Sequence, residues 1–191
     1  MLDNIKPREQ SGRDTLARFR AQARSAALAS LSILEGKDID RVYCDMHDDF
    51  VVRINRDDQF FYIFYQVKTN SKKNHNWTLN ETFGLNSRIN DFSKHKNINI
   101  LNSFAGKLLL HTVNFGDYCE AVIFQTNINI EDPIENLVND IQCGKFENKM
   151  AKLLEERFPE CFSCSELSSE KVKINLKKLK FETDVQHIKL E

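Results

Sequence analysis

Two apolar runs separated by a short polar segment constrain this chain more than any other feature. One reads Asp49-Phe50-Val51-Val52-Arg53-Ile54 and the other Phe60-Phe61-Tyr62-Ile63-Phe64-Tyr65-Gln66-Val67-Lys68. Asn55-Arg56-Asp57-Asp58 between them has turn chemistry, so the runs are expected to pair as the strands of a hairpin. Side chains alternate along a strand, which puts Gln66 and Lys68 on one face and Val67 on the other. Pairing about the turn brings Asp49 beside Gln66 and Lys68. A carboxylate, an amide oxygen and an ammonium then converge at one end of the hairpin.

Those groups suit metal-assisted hydrolysis of a phosphodiester. The reaction needs a polarised phosphoryl oxygen, an activated water and neutralisation of developing negative charge. A hard divalent cation held by one or two protein oxygens, and keeping several waters, supplies much of this. Asp49 would be the anionic ligand of Mg²⁺, with Mn²⁺ able to substitute. The Gln66 side-chain carbonyl and the Val67 backbone carbonyl would complete the protein's share. Lys68 would orient the attacking water and face the developing charge. Asp45 and Asp48 are alternative acidic ligands, but Asp49 opens the strand directly and Asp48 is expected to face the opposite way. A D…QxK spacing is also met by hairpins with no such role, so context has to separate the two.

The context is an order of elements. A long Ala-rich helical pattern runs from about Asp14 to Leu34, followed by a short strand at Ile39 to Cys44 and then the two hairpin strands. Helical segments are expected at Leu85 to Asn90 and Leu101 to Val113, and a further strand at Tyr118 to Gln125. With the Asp49–Gln66–Lys68 set, this order resembles the PD-(D/E)XK nuclease superfamily, in the variant where Gln replaces the acidic residue before x-Lys. The resemblance implies an α/β, restriction-endonuclease-like αβββαβ core, a central mixed sheet flanked by helices.

Shorter matches narrow the likeness. Arg8-Glu9, Gly12, Phe19-Arg20-Ala21-Gln22, Val42-Tyr43-Cys44-Asp45, Asp48-Asp49-Phe50-Val51-Val52, Phe64-Tyr65-Gln66-Val67-Lys68-Thr69 and Asn76-Trp77-Thr78-Leu79 resemble bacterial anti-phage effector endonucleases. These are fused to SAVED domains, which sense cyclic oligonucleotides, in CBASS systems, and serve as the nuclease subunit of Lamassu systems. The likeness spans about residues 8 to 125 and weakens beyond. It implies Mg²⁺-dependent, largely sequence-nonspecific cleavage of double-stranded DNA during phage defence, under a sensor domain or partner subunit. The family usually has Glu at the position of Asp45 and often Tyr-Gln at Ala21-Gln22. Neither departure touches Asp49 or Lys68.

Gln22 is the second polar residue of interest. Leu16, Phe19, Ala23 and Ala26 mark an apolar stripe on the first helix, and Gln22 lies about 40° from Ala26 and about 60° from Phe19. Its amide is expected to turn towards the sheet and to need a hydrogen bond there. Superfamily members often use a Glu or Gln of this helix to help hold the metal or its water, and that role is expected of Gln22, with Asp48 beside it.

A net charge of −1 over 191 residues gives no global sign of nucleic-acid affinity, so local clusters matter. Arg13, Arg20 and Arg24 return to nearly one side of a helix. Lys72 and Lys73 follow the second hairpin strand. Both groups are expected to grip phosphates without reading bases, whereas Trp77 is expected to pack.

With 41% hydrophobic residues and 14 Phe, the chain can bury one sizeable core, and one nuclease domain over 1–191 is expected. Its core would cover about 8–126 and a C-terminal helical extension about 131–191, after which members of the family it resembles continue into a sensor or docking domain. In the extension, Pro133 to Ile141 and Phe146 to Phe158 have helical spacing, and Lys171 to Lys180 fits a strand or a short helix. No secretory signal or membrane-length apolar run stands out, and five scattered cysteines suit free thiols in the cytoplasm. Cys161-x-x-Cys164 lacks the second pair or the His of a zinc site and is read as structural or incidental. One site per chain cuts one strand per encounter, so a homo-oligomer is expected when active; stripes at Ile134 to Ile141 and Met150 to Leu154 are candidate contact surfaces, although burial within their own domain is the expected fate of most of those residues. Two rival readings remain: a catalytically weak nucleic-acid-binding module, because Gln66 brings no charge to a metal, and an assembly module with a merely structural hairpin.

Overall fold

The computed structural model describes residues 10–71, 75–86, 88–89 and 91–189. In chain order the elements are α1 (Gln10–Leu34), β1 (Ile39–Met46), β2 (Asp48–Arg56), β3 (Gln59–Lys68), α2 (Leu79–Phe83), α3 (Asn97–Asn102), α4 (Phe104–Asn114), β4 (Cys119–Thr126), α5 (Asp132–Gln142), α6 (Lys149–Cys161), α7 (Ser169–Lys177) and β5 (Leu179–Glu182). The strands lie in the order β1-β2-β3-β4-β5. β1, β2 and β3 are antiparallel neighbours, while β4 runs parallel to β3 and β5 parallel to β4. The chain is therefore α/β, with a mixed sheet flanked by helices.

The hairpin turn is tighter than expected. Only Asp57 and Asp58 form it, both with positive φ (51° and 61°), and Arg56 already pairs with Gln59. Two-residue turns of this handedness match the right-handed twist of the strands, and Asp tolerates the left-handed region better than most residues. Asn55 and Arg56 therefore belong to β2. A parallel partner cannot be reached by a tight turn. The chain crosses from β3 to β4 through α2, α3 and α4, which cover one face of the sheet.

That face holds the larger apolar cluster, where Val51, Phe64, Val122 and Phe124 meet Leu108 and Leu109 of α4 and residues of α5 to α7. α1 covers the other face, where Ala21 and Ala26 pack with Phe50, Val52, Val67 and Ile188. Leu16, Phe19 and Ala23, expected in the buried stripe of α1, are exposed instead. Small side chains line the buried side (Ala21, Ser25, Ala26), because Phe50 and Tyr65 of the sheet, stacked with centroids 4.3 Å apart, already fill the space beneath.

The helix expected at Leu85 to Asn90 is not found among its described residues. The helical turn lies earlier, at α2, where Thr78 and Glu81 form a reciprocal capping box and Gly84 (φ 68°) ends it. The expected helix at Leu101 to Val113 is broken in two by Ser103, whose hydroxyl accepts the N–H of Gly106 at the start of α4. Beyond residue 131, Lys171 to Lys180 resolves into both expected forms, α7 and then the beginning of β5. Ile134, Leu137, Ile141, Leu153 and Leu154 are buried in the chain's own core, so the two stripes offered as contact surfaces face inward.

Candidate active site

The sheet forks at one end. Pairing between β2 and β3 runs from Arg56↔Gln59 to Phe50↔Tyr65 and stops there, whereas β3 stays paired with β4 as far as Lys68↔Thr126. Beyond Tyr65 the β2 side of β3 has lost its backbone partner. A buried N–H cannot be left unpaired at little cost, and the Asp49 carboxylate takes its place, Oδ2 accepting the Val67 N–H at 2.6 Å. Lys68 Nζ lies 3.8 Å from the same oxygen and 5.6 Å from the centre of the Phe104 ring. Gln22 of α1 also hydrogen-bonds the Asp49 carboxyl. Asp49, Val67, Lys68 and Gln22 are thus in one constellation.

Burial pushes the Asp49 carboxyl above its ordinary range. The Lys68 charge, the Val67 N–H and the Gln22 hydrogen bond pull it back, while the Asp48 charge adds to the rise. Gln66 is 7% exposed and its buried Oε1 has no hydrogen-bond partner. A buried amide oxygen without a donor is costly, and a cation would satisfy it. Asp49, Gln66 and the Val67 carbonyl offer oxygen donors of the kind a hard cation such as Mg²⁺ takes. Among the described residues no group of three or more His, Cys, Asp or Glu could hold a metal, so such an ion would have few protein ligands. A hollow of about 90 Å³ beside Asp49 is lined by Phe19, Gln22, Ala23, Ala26, Cys44 and Asp45, well above the ~10–15 Å³ that one water requires.

Asp48 does not join this set. Its Oδ1 accepts the Asp49 N–H at 3.0 Å, and its Oδ2 stands 3.3 Å from His111 Nε2 on α4. Strand alternation puts Asp48 in step with Phe50, which packs against α1, and Asp49 in step with Val51, which packs on the α4 side. Asp48 departs from that pattern, reaching His111 on the α4 side, and the Asp49 carboxylate lies in the fork between Val67, Lys68 and Gln22. β2 therefore rotates between Phe50 and Asp49, where its ladder to β3 has ended and where Asp45 (φ 55°) and His47 (φ 64°) bend the approach from β1.

His111 is the residue that sequence reasoning missed. It is nearly buried and stacks on Phe64 of β3, with centroids 4.3 Å apart and planes at 10°. Its position one turn after Leu108, on the apolar side of α4, was the available signal: a buried ring nitrogen there needs a partner. Of the basic residues expected at DNA, Arg20 and Arg24 are exposed on α1. The Arg13 side chain, Lys72 and Lys73 lie outside the described residues. Trp77 is buried and donates its indole N–H to Thr126 Oγ1 at 2.7 Å. Burial pushes the Cys161 thiol up to about 11 and raises that of Cys164, which works against the thiolate that metal binding or redox chemistry needs.

Comparison with known proteins gives one result. The sequence model of a family described as Cap4, dsDNA endonuclease domain, matches residues 10–190. No curated protein matches, and no solved structure does.

Proposed function

Since the chain belongs to the Cap4 double-stranded-DNA endonuclease domain family, a nuclease family of anti-phage defence, we propose that it hydrolyses DNA phosphodiesters at the Asp49–Gln66–Lys68 fork with Mg²⁺ as cofactor. The observation that carries the reading is the fork itself. There Asp49 is held by the Val67 N–H, with Lys68 3.8 Å away and an unpartnered Gln66 oxygen on the same strand.

Asp49, Gln66 and the Val67 carbonyl would hold the ion. When bound, it would polarise the scissile phosphate and offset the charge that develops there. Asp49 is pre-set for this task by its bond to a rigid backbone N–H on a strand paired with β4. Lys68 presents a fixed positive charge to the same oxygen environment, where it can orient a water and stabilise the pentavalent phosphorus. Gln22 holds the Asp49 carboxyl from the α1 side. Exposed Arg20 and Arg24 can bind phosphates, which carry no sequence information, so cleavage would be largely sequence-nonspecific.

Control follows from the same geometry. One site per chain favours at least two chains for a double-strand break, and an enzyme with little sequence readout must be kept from host DNA. Activation by assembly, under a sensor domain or partner subunit, meets both needs. The stripes of α5 and α6 are buried, so assembly would use another surface. Helices α5 to α7 share one apolar cluster with β3 and β4, which supports treating the chain as a single nuclease unit. No helix among the described residues is long and apolar enough to cross a membrane.

The test is plasmid cleavage with Mg²⁺ over a range of protein concentrations, with DNA binding measured against salt. Cleavage that rises steeply with concentration supports the reading. DNA binding that weakens with salt, without metal-dependent cleavage at any concentration, would leave a binding module instead.

A further inference from the structure

We propose that His111 is a positioning residue, acting through Asp48 to set Asp49 in the fork; the proposal rests on reading Asp49 as the catalytic carboxylate. Asp49 does not occupy its place by strand geometry. The regular alternation of β2 would send it towards α4; on the β3 side the ladder ends at Phe50↔Tyr65, while on the other side pairing with β1 reaches Met46↔Asp48. Two side-chain contacts replace that ladder. On one side Asp49 Oδ2 takes the Val67 N–H at 2.6 Å. On the other, Asp48 Oδ1 takes the Asp49 N–H at 3.0 Å, and Asp48 is itself tethered 3.3 Å from His111 Nε2.

The tether is built on a firm base. The Asp48 and His111 side chains are 8% and 11% exposed, so solvent weakens the contact little. The ring lies flat on Phe64, whose strand carries Gln66 and Lys68 two and four residues further on. Phe64 is fully buried. His111 thus references the position of Asp49 to the strand that bears the other site residues. Packing alone does not account for a histidine here. Phenylalanine would stack on Phe64 equally well, and His111 Nδ1 is buried without a partner, a cost that the Asp48 contact must outweigh.

His111→Phe separates the two roles, because it keeps the stacking and removes the contact to Asp48. The first readout needs no metal: amide exchange of Val67 in the metal-free protein, followed by NMR. His111→Phe should speed that exchange about tenfold while amides of β4 keep their protection and the melting temperature shifts little. Mn²⁺ binding should weaken about tenfold, the lower end for residues that orient a ligand. The kcat for DNA should fall with KM unchanged. His111→Gln, whose amide nitrogen can stand where Nε2 does, should restore all three. Asp48→Ala removes both links and provides the same test if His111→Phe does not fold. Unchanged Val67 exchange in the folded variants would overturn the proposal. Faster exchange with unaltered Mn²⁺ binding and cleavage would instead overturn the catalytic reading of Asp49.

Discussion

Asp49 and Val67 are bonded side chain to backbone, 2.6 Å apart, at the point where β2 and β3 separate. A carboxylate there closes the end of an interrupted ladder and also presents its charge beside Lys68. The residue that completes the fold at the fork is thus also the one proposed to ligate the cation.

Replacing Lys68 by Ala removes the positive charge 3.8 Å from Asp49. Cleavage should fall at least about a hundredfold, the scale of losing one preorganised electrostatic group, while DNA affinity and melting temperature stay nearly unchanged. Single-turnover plasmid cleavage alongside a binding isotherm checks this. A wild-type rate would dismiss the fork as the site.

Chelation probes the oxygen donor set. EDTA should abolish cleavage, Mg²⁺ or Mn²⁺ should restore it, and Ca²⁺ should support DNA binding without turnover. With one carboxylate among the donors, metal affinity should be weak without DNA and rise when DNA phosphate completes the coordination. Calorimetric titration with and without a short duplex measures the difference.

Burial raises the Asp49 carboxyl above its unfolded value, so in the metal-free protein the folded state binds that proton more tightly than the unfolded state. Stability from this group is present below the ordinary aspartate value of about 3.9 and is lost as pH rises through the folded value. Asp49→Asn has no such titration. In EDTA its melting temperature relative to wild type should therefore improve from acid to neutral pH, although its cleavage should be lost. Melts at stepped pH decide the sign, and a gap that moves towards wild type would contradict the assignment.

Gly106 in α4 sits against α3 so closely that a Cβ would come 1.9 Å from the Ile100 carbonyl oxygen. Both partners are backbone, so neither can turn aside. Gly106→Ala should cost about 1–3 kcal/mol or more, as overpacked cores do. Because α4 also carries His111, metal affinity should drop with it. Urea unfolding and a Mn²⁺ titration on the folded variant give the two values.

The elements themselves were legible wherever a periodic pattern met clear punctuation. Apolar runs flanking Asp57-Asp58 marked β2 and β3, and Pro133 with the Ile134–Leu137–Ile141 spacing marked α5. Where local signals compete, the tertiary structure decides between them. Leu85 looked like the start of a helix, yet the Thr78–Glu81 capping box had already begun one. In α1, helical spacing puts Leu16 and Phe19 on one stripe with Ala23 and Ala26, yet only Ala26 of the four is buried. The sheet beneath is filled by Phe50 and Tyr65 and accepts only Ala and Ser.

For the site, sequence alone determined which residue types stand near the end of one hairpin: Asp49, Gln66 and Lys68, through period-two alternation and a short turn. Both signals are local, carried by residues within about twenty positions of each other. Tertiary structure decided how the carboxylates point. The ladder ends at Phe50↔Tyr65, Asp49 turns into the gap to meet Val67, and Asp48 turns away to His111, 63 positions along the chain. No local pattern encodes that partner, because its position depends on where α4 packs across the sheet.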